Sequence, residues 1–401
     1  MAVFREFQSE DIKTDRDVLE QLTDVLQNDI SSSLTRKTYQ VWVTGGLGPG
    51  VTSSLFQTVF DQDFSLQTAN PVFDVTFGIA TTSTLISGSL LYIDANTNKY
   101  YFASQSIQMR EKLDIYHLFA QECLGNASEV FKLTGTNPKD ILEPLFISFK
   151  RIFTRDRIKR ETFAIRMFQT SSNLLTTATV QKIYTDVGST SNIETSFGGL
   201  VSTIVDSANT AYPVGLLYID RGIVVLDTQR VFDTGTLITG NINGMSLTGI
   251  VPVNCNLNRL LVSASIDNLS DHICSTRFSS SAATAITFQN QTYINSTIFF
   301  CRFTADEFNY SSNPTYTDST GRIVVIDPGQ EETQRAFSYV TSIGLYDAYD
   351  NLLGVAKLSR PVYKDRQRDF TLKCRLDFFR KNSRTYITKS QKFLRLRKTE
   401  K

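Results

Sequence analysis

The chain has 401 residues, of which 41% are hydrophobic and 20% charged, and a formal net charge of +1. That length can bury more than one core, and the composition excludes a disordered or collagen-like chain. The charge is unevenly spread: residues 380–401 hold nine Lys or Arg against the single acid Glu400, net +8, which leaves −7 for residues 1–379. The charged start, MAVFREFQSEDIKTDRD, has no apolar signal core, and no apolar run approaches the ~18 residues of a membrane span. A soluble product made inside the cell, with no membrane span, is therefore expected. The five cysteines are odd in number and include no Cys-x-x-Cys pair, which argues against a disulfide framework or a zinc site and for buried free thiols.

In chain order, the first expected element is an amphipathic helix. Ser9 offers a cap, and Val18, Leu19, Leu22, Val25, Leu26 and Ile30 recur at three- and four-residue spacing opposite an acidic side. A strand at 38–43 leads into a glycine-rich turn at 45–50, and extended runs follow at 55–60 and 72–77. Residues 85–102 alternate like a hairpin around Asn96-Thr-Asn98. A second helix is expected over 109–124, with Leu113, Tyr116, Ala120, Cys123 and Leu124 as its apolar stripe and Gly125-Asn126 as its stop.

Strand-like runs at 145–153 and 162–168 flank a basic turn at 155–160. From there to Phe303 the Ser, Thr and Asn bias suggests strands and polar loops and no further helix. The clearest hairpin signal is 214–226, bent at Asp220-Arg-Gly222. Near the end, apolar runs at 323–326, 339–346 and 352–358 are bounded by turn residues, with 347–351 as a hairpin loop. Residues 370–378 alternate, with Phe370, Leu372, Cys374, Leu376 and Phe378 on one face. The fold class read from this is mainly β with a few helices (α+β), made of antiparallel, sandwich-like modules between an N-terminal amphipathic helix and a basic C-terminal arm. Five segments are suggested: 1–50, 51–140, 141–305, 306–379 and the arm, 380–401.

Motifs for chemistry are weak. Gly45 and Gly50 have the spacing of a phosphate-binding loop, but Val51 stands where the lysine must be and Pro49 removes a backbone donor. The two histidines, His117 beside a helix stripe and His272 in a polar loop, lack both triad and ligand spacing. Glu331-Glu332 reads as a solvated turn. No enzymatic activity, cofactor, metal or small-molecule substrate is expected.

Two basic segments are candidate subunit interfaces. One is Arg155, Arg157, Lys159 and Arg160, preceded by Lys150 and Arg151. The other is the arm, with Arg384, Lys389, Lys392, Arg395, Arg397 and Lys398 interleaved with Tyr386, Ile387, Phe393, Leu394 and Leu396. An acidic protein surface suits them better than nucleic acid, for which the chain has no fold signature.

Several stretches resemble virion structural proteins of large contractile-tailed bacteriophages, of the kind assigned to the baseplate. They are NPVFDVTFG at 70–78, KLDIYHLFAQ at 112–121, residues 146–166, 214–227 and 309–321, and VTSIGLYDAYDNLLGVAKLSRP at 340–361. The last is the most specific, closing on an AKLSRP turn. The resemblance implies a non-enzymatic, mostly β wedge-like subunit assembled in several copies around the tail, in contact with other tail proteins and with itself. It places the subunit in the virion after assembly in the host cytoplasm. The basic tail after Phe379 has no counterpart in it. A neck or head–tail connector protein is the alternative, and a receptor-binding fibre or adhesin a further one.

Overall fold

A computed structural model describes residues 4–38, 41–42, 52–53, 55–86, 91–93, 100–102, 107–170 without 136, 178–232, 261, 264–278, 282–378 without 312–313, 325, 331 and 348, and 395–399. The protein is mainly β, with large antiparallel sheets and few helices. It divides into two compact units, 20–292 and 1–19 with 293–401. Two long strands, Ile12–Leu26 and Thr284–Phe303, carry the chain from one unit into the other.

The larger unit is built on one antiparallel sheet. Its hydrogen-bonded order runs Ala164–Thr170, Ala178–Thr185, Gly199–Asp206, Asn209–Tyr218, Ile223–Asp227, Pro144–Phe149, Pro71–Phe77, Gln57–Phe60 and Arg36–Thr38. The central strands are covered on both faces, which is why their sequences are almost continuously apolar. Leu145, Ile147, Leu217, Val224 and Leu226 enter one core cluster, while Phe146, Leu216, Tyr218, Ile223 and Val225 enter the other. Each such large side chain, fully buried, contributes about 1.5–3 kcal/mol.

The helix Ile107–Cys123 lies on the second of these faces. The Phe119 and Phe146 rings stack with centroids 4.1 Å apart. Tyr116 donates to the Ile141 carbonyl at 3.0 Å and accepts from the Phe131 N–H at 3.1 Å, so its buried hydroxyl is satisfied twice. Gly78 permits the close approach: a Cβ there would come within 2.8 Å of the Phe146 ring and 3.2 Å of the Tyr116 backbone. Gly125, at φ +84°, stops the helix as its sequence suggests.

In the smaller unit a four-stranded antiparallel sheet runs Phe4–Glu6, Arg395–Thr399, Phe337–Tyr346, Leu352–Asp365. Residues 295–303 pair with Phe370–Phe378. Both sets of strands feed one core containing Phe299, Cys301, Phe303, Ile343, Leu345 and Cys374, with Leu358, Leu372 and Leu376 packed on it. This is a sandwich-like module of the expected type. The alternation of 370–376 appears as expected: Phe370, Leu372, Cys374 and Leu376 turn inward and the residues between them are exposed. The described cysteines, Cys123, Cys274, Cys301 and Cys374, are buried free thiols.

Four expectations need correcting. The N-terminal amphipathic helix is the strand Ile12–Leu26, which pairs with Thr284–Phe303; Ser9–Asp11 before it is one 3-10 turn and Gln27–Ser31 after it a short α-helix. Val18, Leu22 and Leu26 satisfy four-residue helical spacing and two-residue strand spacing alike, and the long-range partner decides between them. The region said to lack helices holds Ile266–His272, capped by Ser265 accepting from the Asn268 N–H at 3.2 Å. His272 is therefore buried on a helix, and desolvation pushes its pKa down to about 3. Among the described residues of the run 323–326, Ile323 makes a single bridge, to Thr317. The AKLSRP turn is a bulge inside Leu352–Asp365: Ser342 pairs with Lys357 and Val340 with Val362, so 358–361 bow out opposite Thr341.

The hairpins around 96–98 and 220–222 are both present as pairs, Leu91–Ile93 with Tyr100–Phe102 and Asn209–Tyr218 with Ile223–Asp227. The turn residues 94–99 lie outside the described residues, as do 43–51 of the glycine-rich loop, Cys255 and Glu331. The basic arm is described only at 395–399, where it is a strand and not a free segment.

Candidate interaction surface

The strongest surface feature is an aromatic array on the smaller unit. It is built on the hairpin formed by Phe337–Tyr346 and Leu352–Asp365, whose loop is closed by one carboxylate. Asp347 accepts from the N–H groups of Tyr349 at 2.9 Å and Asn351 at 2.8 Å and from the Asn351 side-chain amide at 2.9 Å. The Asn351 side chain and backbone hold the Asp347 pKa below its ordinary value. Asp350, at φ +63°, makes the left-handed step that reverses the chain.

Along this hairpin Tyr339 pairs with Tyr363. Their ring centroids are 5.8 Å apart, and Phe337 stacks on Tyr363 at 5.2 Å and meets Tyr339 at 5.9 Å. Tyr316 extends the row edge-on to Phe337 at 6.3 Å, and Tyr310 meets Tyr316 at 5.9 Å. The Arg368 guanidinium lies 5.1 Å from the Tyr363 ring centroid. Tyr310 and Tyr339 keep 51% and 53% of their surface exposed.

The other face of this hairpin is fixed in place. Ser338 donates to the Phe308 carbonyl, and Lys364 donates to the Asn309 amide oxygen at 2.8 Å and to the Ala305 carbonyl at 3.2 Å. Desolvation lowers the Lys364 pKa. Phe308 holds φ +57° and packs on Phe303 at 5.2 Å. A buried aromatic in that strained backbone region is held by its surroundings. The loop carrying Tyr310 is thereby tied under the array.

Further along the same sheet, Leu352–Asp365 pairs only with Phe337–Tyr346 among the described residues, so its far side is an open edge. Leu352, Leu353 and Val355 are more than half exposed there. An open edge with exposed apolar side chains is a template for another chain.

The predicted basic residues are distributed differently. Arg155 and Arg157 bracket a turn whose backbone bridges Gln291, Arg155 at φ +57° and exposed. Lys159 forms an ion pair with Glu20, which also accepts from the Gln291 amide at 2.9 Å, and these bonds hold the Glu20 pKa low. Arg160 is half-buried. Arg384, Lys389 and Lys392 lie outside the described residues, whereas Arg395, Arg397 and Lys398 stand at register positions opposite Tyr346, Gly344 and Ile343. The two basic segments thus fall in different units.

Buried ionisable groups in the larger unit serve as fastenings. Glu143, with 1% of its surface exposed, accepts from Ser83 and from the Gln229 amide at 2.8 Å, and Asp227, fully buried, accepts from Lys139 at 2.6 Å. Burial raises both carboxyl pKa values. Lys112 donates to the carbonyls of Leu261 and Ala264, and burial pushes its pKa down to about 7. A recess of about 500 Å³ is lined by Thr134, Ser189, Ser191, Asn192, Glu194 and Thr203, among others. Sequence reasoning missed the aromatic array because its members come from three separate segments; only the Tyr339 run was visible as a strand.

Among the described residues, no group of three His, Cys, Asp or Glu could hold a metal ion, and no helix is long and apolar enough to cross a membrane. Comparison with protein-family models, with curated proteins and with solved structures gives no match.

Proposed function

We propose that this chain is a non-enzymatic structural subunit of a contractile phage tail, a baseplate wedge component that holds neighbouring subunits together and shifts with them when the tail contracts. The observation that carries this reading is the aromatic array with Arg368, in which Tyr310 and Tyr339 stay 51% and 53% exposed. Aromatic residues and arginine concentrate at the energetic centres of protein interfaces, where they bury large rigid areas at low entropic cost. The stretches 309–321 and 340–361, which resemble tail proteins, include Tyr310, Tyr316 and the loop end of the hairpin on which Tyr339 stands. The partners are other tail proteins and further copies of the chain.

Antibody raised against the full chain, applied to intact particles of the phage that encodes it, tests the assignment. Label at the distal end of the tail is expected. Label at the head–tail junction would move the subunit to the neck, and particles that bind no antibody before or after disruption would overturn the virion assignment. The recess, where Ser189, Ser191 and Thr203 stand among Val187, Ile193 and Pro213, is the feature behind a second reading, a receptor-binding protein that takes saccharides, and glycan binding by the isolated chain would support it.

A further inference from the structure

We infer that the recess on the larger unit binds one hexose unit of a neutral saccharide, with Glu194 and Thr203 as its principal hydrogen-bonding groups. The inference rests on the second reading above and names the site and its chemistry; it is independent of where in a particle the chain stands.

One wall of the recess is fastened from below by a buried carboxylate. Asp186, fully buried, accepts from the N–H groups of Glu161 at 2.8 Å and Phe163 at 3.0 Å and from Ser189 Oγ at 3.4 Å. The loop that follows is closed on itself. The N–H groups of Ser191 and Asn192 both donate to the Gly188 carbonyl at 3.2 Å, and the Thr190 N–H donates to Glu161 Oε1 at 3.2 Å. Gly188 holds φ +85°, a turn that a side chain would strain. A surface loop already held in this way loses little freedom when a ligand settles on it.

Strand register then brings the polar groups together. The strand Glu194–Ser196 leaves the loop and pairs Glu194 with Val201 of Gly199–Asp206. Thr203 lies two positions beyond Val201, so Glu194 and Thr203 are diagonal neighbours on one face of the sheet, about 7–8 Å apart along the backbone. Val205 and Pro213, paired with each other, continue the floor.

The side chains of Asn192, Glu194, Thr203 and Thr210 line the recess and make no hydrogen bond among the described residues. No lysine or arginine stands among the described residues that line it, and Glu194 is negative, so phosphate and carboxylate ligands are disfavoured. Between the polar groups Val187, Ile193 and Pro213 offer aliphatic surface. A pyranose ring is matched to this mixture. Its hydroxyls donate to the carboxylate and exchange hydrogen bonds with the threonine hydroxyls and the amide, while its C–H faces rest on the aliphatic side chains. The volume of about 500 Å³ lies within the range of small-ligand sites.

Saturation-transfer NMR of the full chain with methyl glucoside, methyl galactoside and methyl mannoside tests the site. Transfer to the ring protons of at least one of them is expected. Glu194→Gln and Thr203→Val should each weaken that binding about tenfold and leave the melting temperature unchanged, since neither side chain bonds within the fold. Should Thr203→Val melt early, Ala211→Trp at the exposed rim, which blocks the recess without removing a polar group, decides in its place and should abolish transfer. Transfer that persists undiminished in these variants would leave the saccharide reading standing and overturn this site. No transfer to any of the three glycosides would overturn both.

Discussion

Tyr339 and Tyr363 face each other across a two-strand hairpin with ring centroids 5.8 Å apart, and the first of them leaves 53% of its surface uncovered. The pair contributes to hairpin stability, but half of what Tyr339 offers remains available to another molecule. Stability and association are therefore separable at this position. Tyr339→Ala should lower the unfolding free energy by about 0.2–1 kcal/mol, the usual worth of a cross-strand aromatic pair. Binding to neighbouring subunits should fall by about 2 kcal/mol or more. Denaturant unfolding and binding titration on the same preparation check the split, and equal losses in both would contradict it.

Tyr116 carries the opposite expectation, since its hydroxyl is enclosed in the larger unit. Tyr116→Phe removes the acceptor of the Phe131 N–H and the donor to the Ile141 carbonyl. Leaving those buried groups unmet should cost about 1–3 kcal/mol. Chemical denaturation of the full chain measures this, with assembly at low denaturant unchanged.

The buried Lys112 makes stability depend on pH in a defined direction. Desolvation brings its pKa from 10.5 down to about 7 in the folded chain. Between those values the unfolded chain holds the proton and the folded chain does not, so raising the pH favours folding through this group. Its contribution is complete above 10.5 and is lost as pH falls through about 7. The stability of wild type relative to Lys112→Met should therefore climb from pH 7 to pH 10 and be level below pH 7, with the buried thiols cancelling in the comparison. A difference independent of pH would show that Lys112 is not desolvated as described.

Removal of residues 380–401 tests the role of the last strand. Arg395–Thr399 lies between Phe4–Glu6 and Phe337–Tyr346 and pairs with both. Truncation would leave Phe4–Glu6 without its strand partner and expose Phe337–Tyr346 as a longer sheet edge, so the smaller unit should melt at lower temperature and the truncated chain should aggregate more readily. Scanning calorimetry checks this. An unchanged melt would restore the picture of residues 395–399 as a free arm.

Local rules were legible wherever the decisive partner lay close in sequence. The hairpin loop at 347–351 follows from Asp347 and Asn351, the helix stop at Gly125 from its positive φ, and the strand Phe370–Phe378 from strict alternation. Reading failed where a distant partner decides. Val18, Leu22 and Leu26 fit two periods, and the choice is made by a strand nearly three hundred residues further along the chain. The aromatic array was hidden for the same reason: Tyr316, Phe337 and Tyr363 have no sequence relationship until the hairpin and the loop before it are folded. The basic residues were visible by composition alone, but composition does not reveal that Lys159 meets Glu20 within the same unit.

Cross-linking mass spectrometry on purified particles tests most directly whether this chain works by being held between others. The account predicts cross-links from the neighbourhood of Tyr310 and Tyr363 to other tail proteins. A chain recovered from those particles with links only within itself, or absent from them altogether, would contradict it.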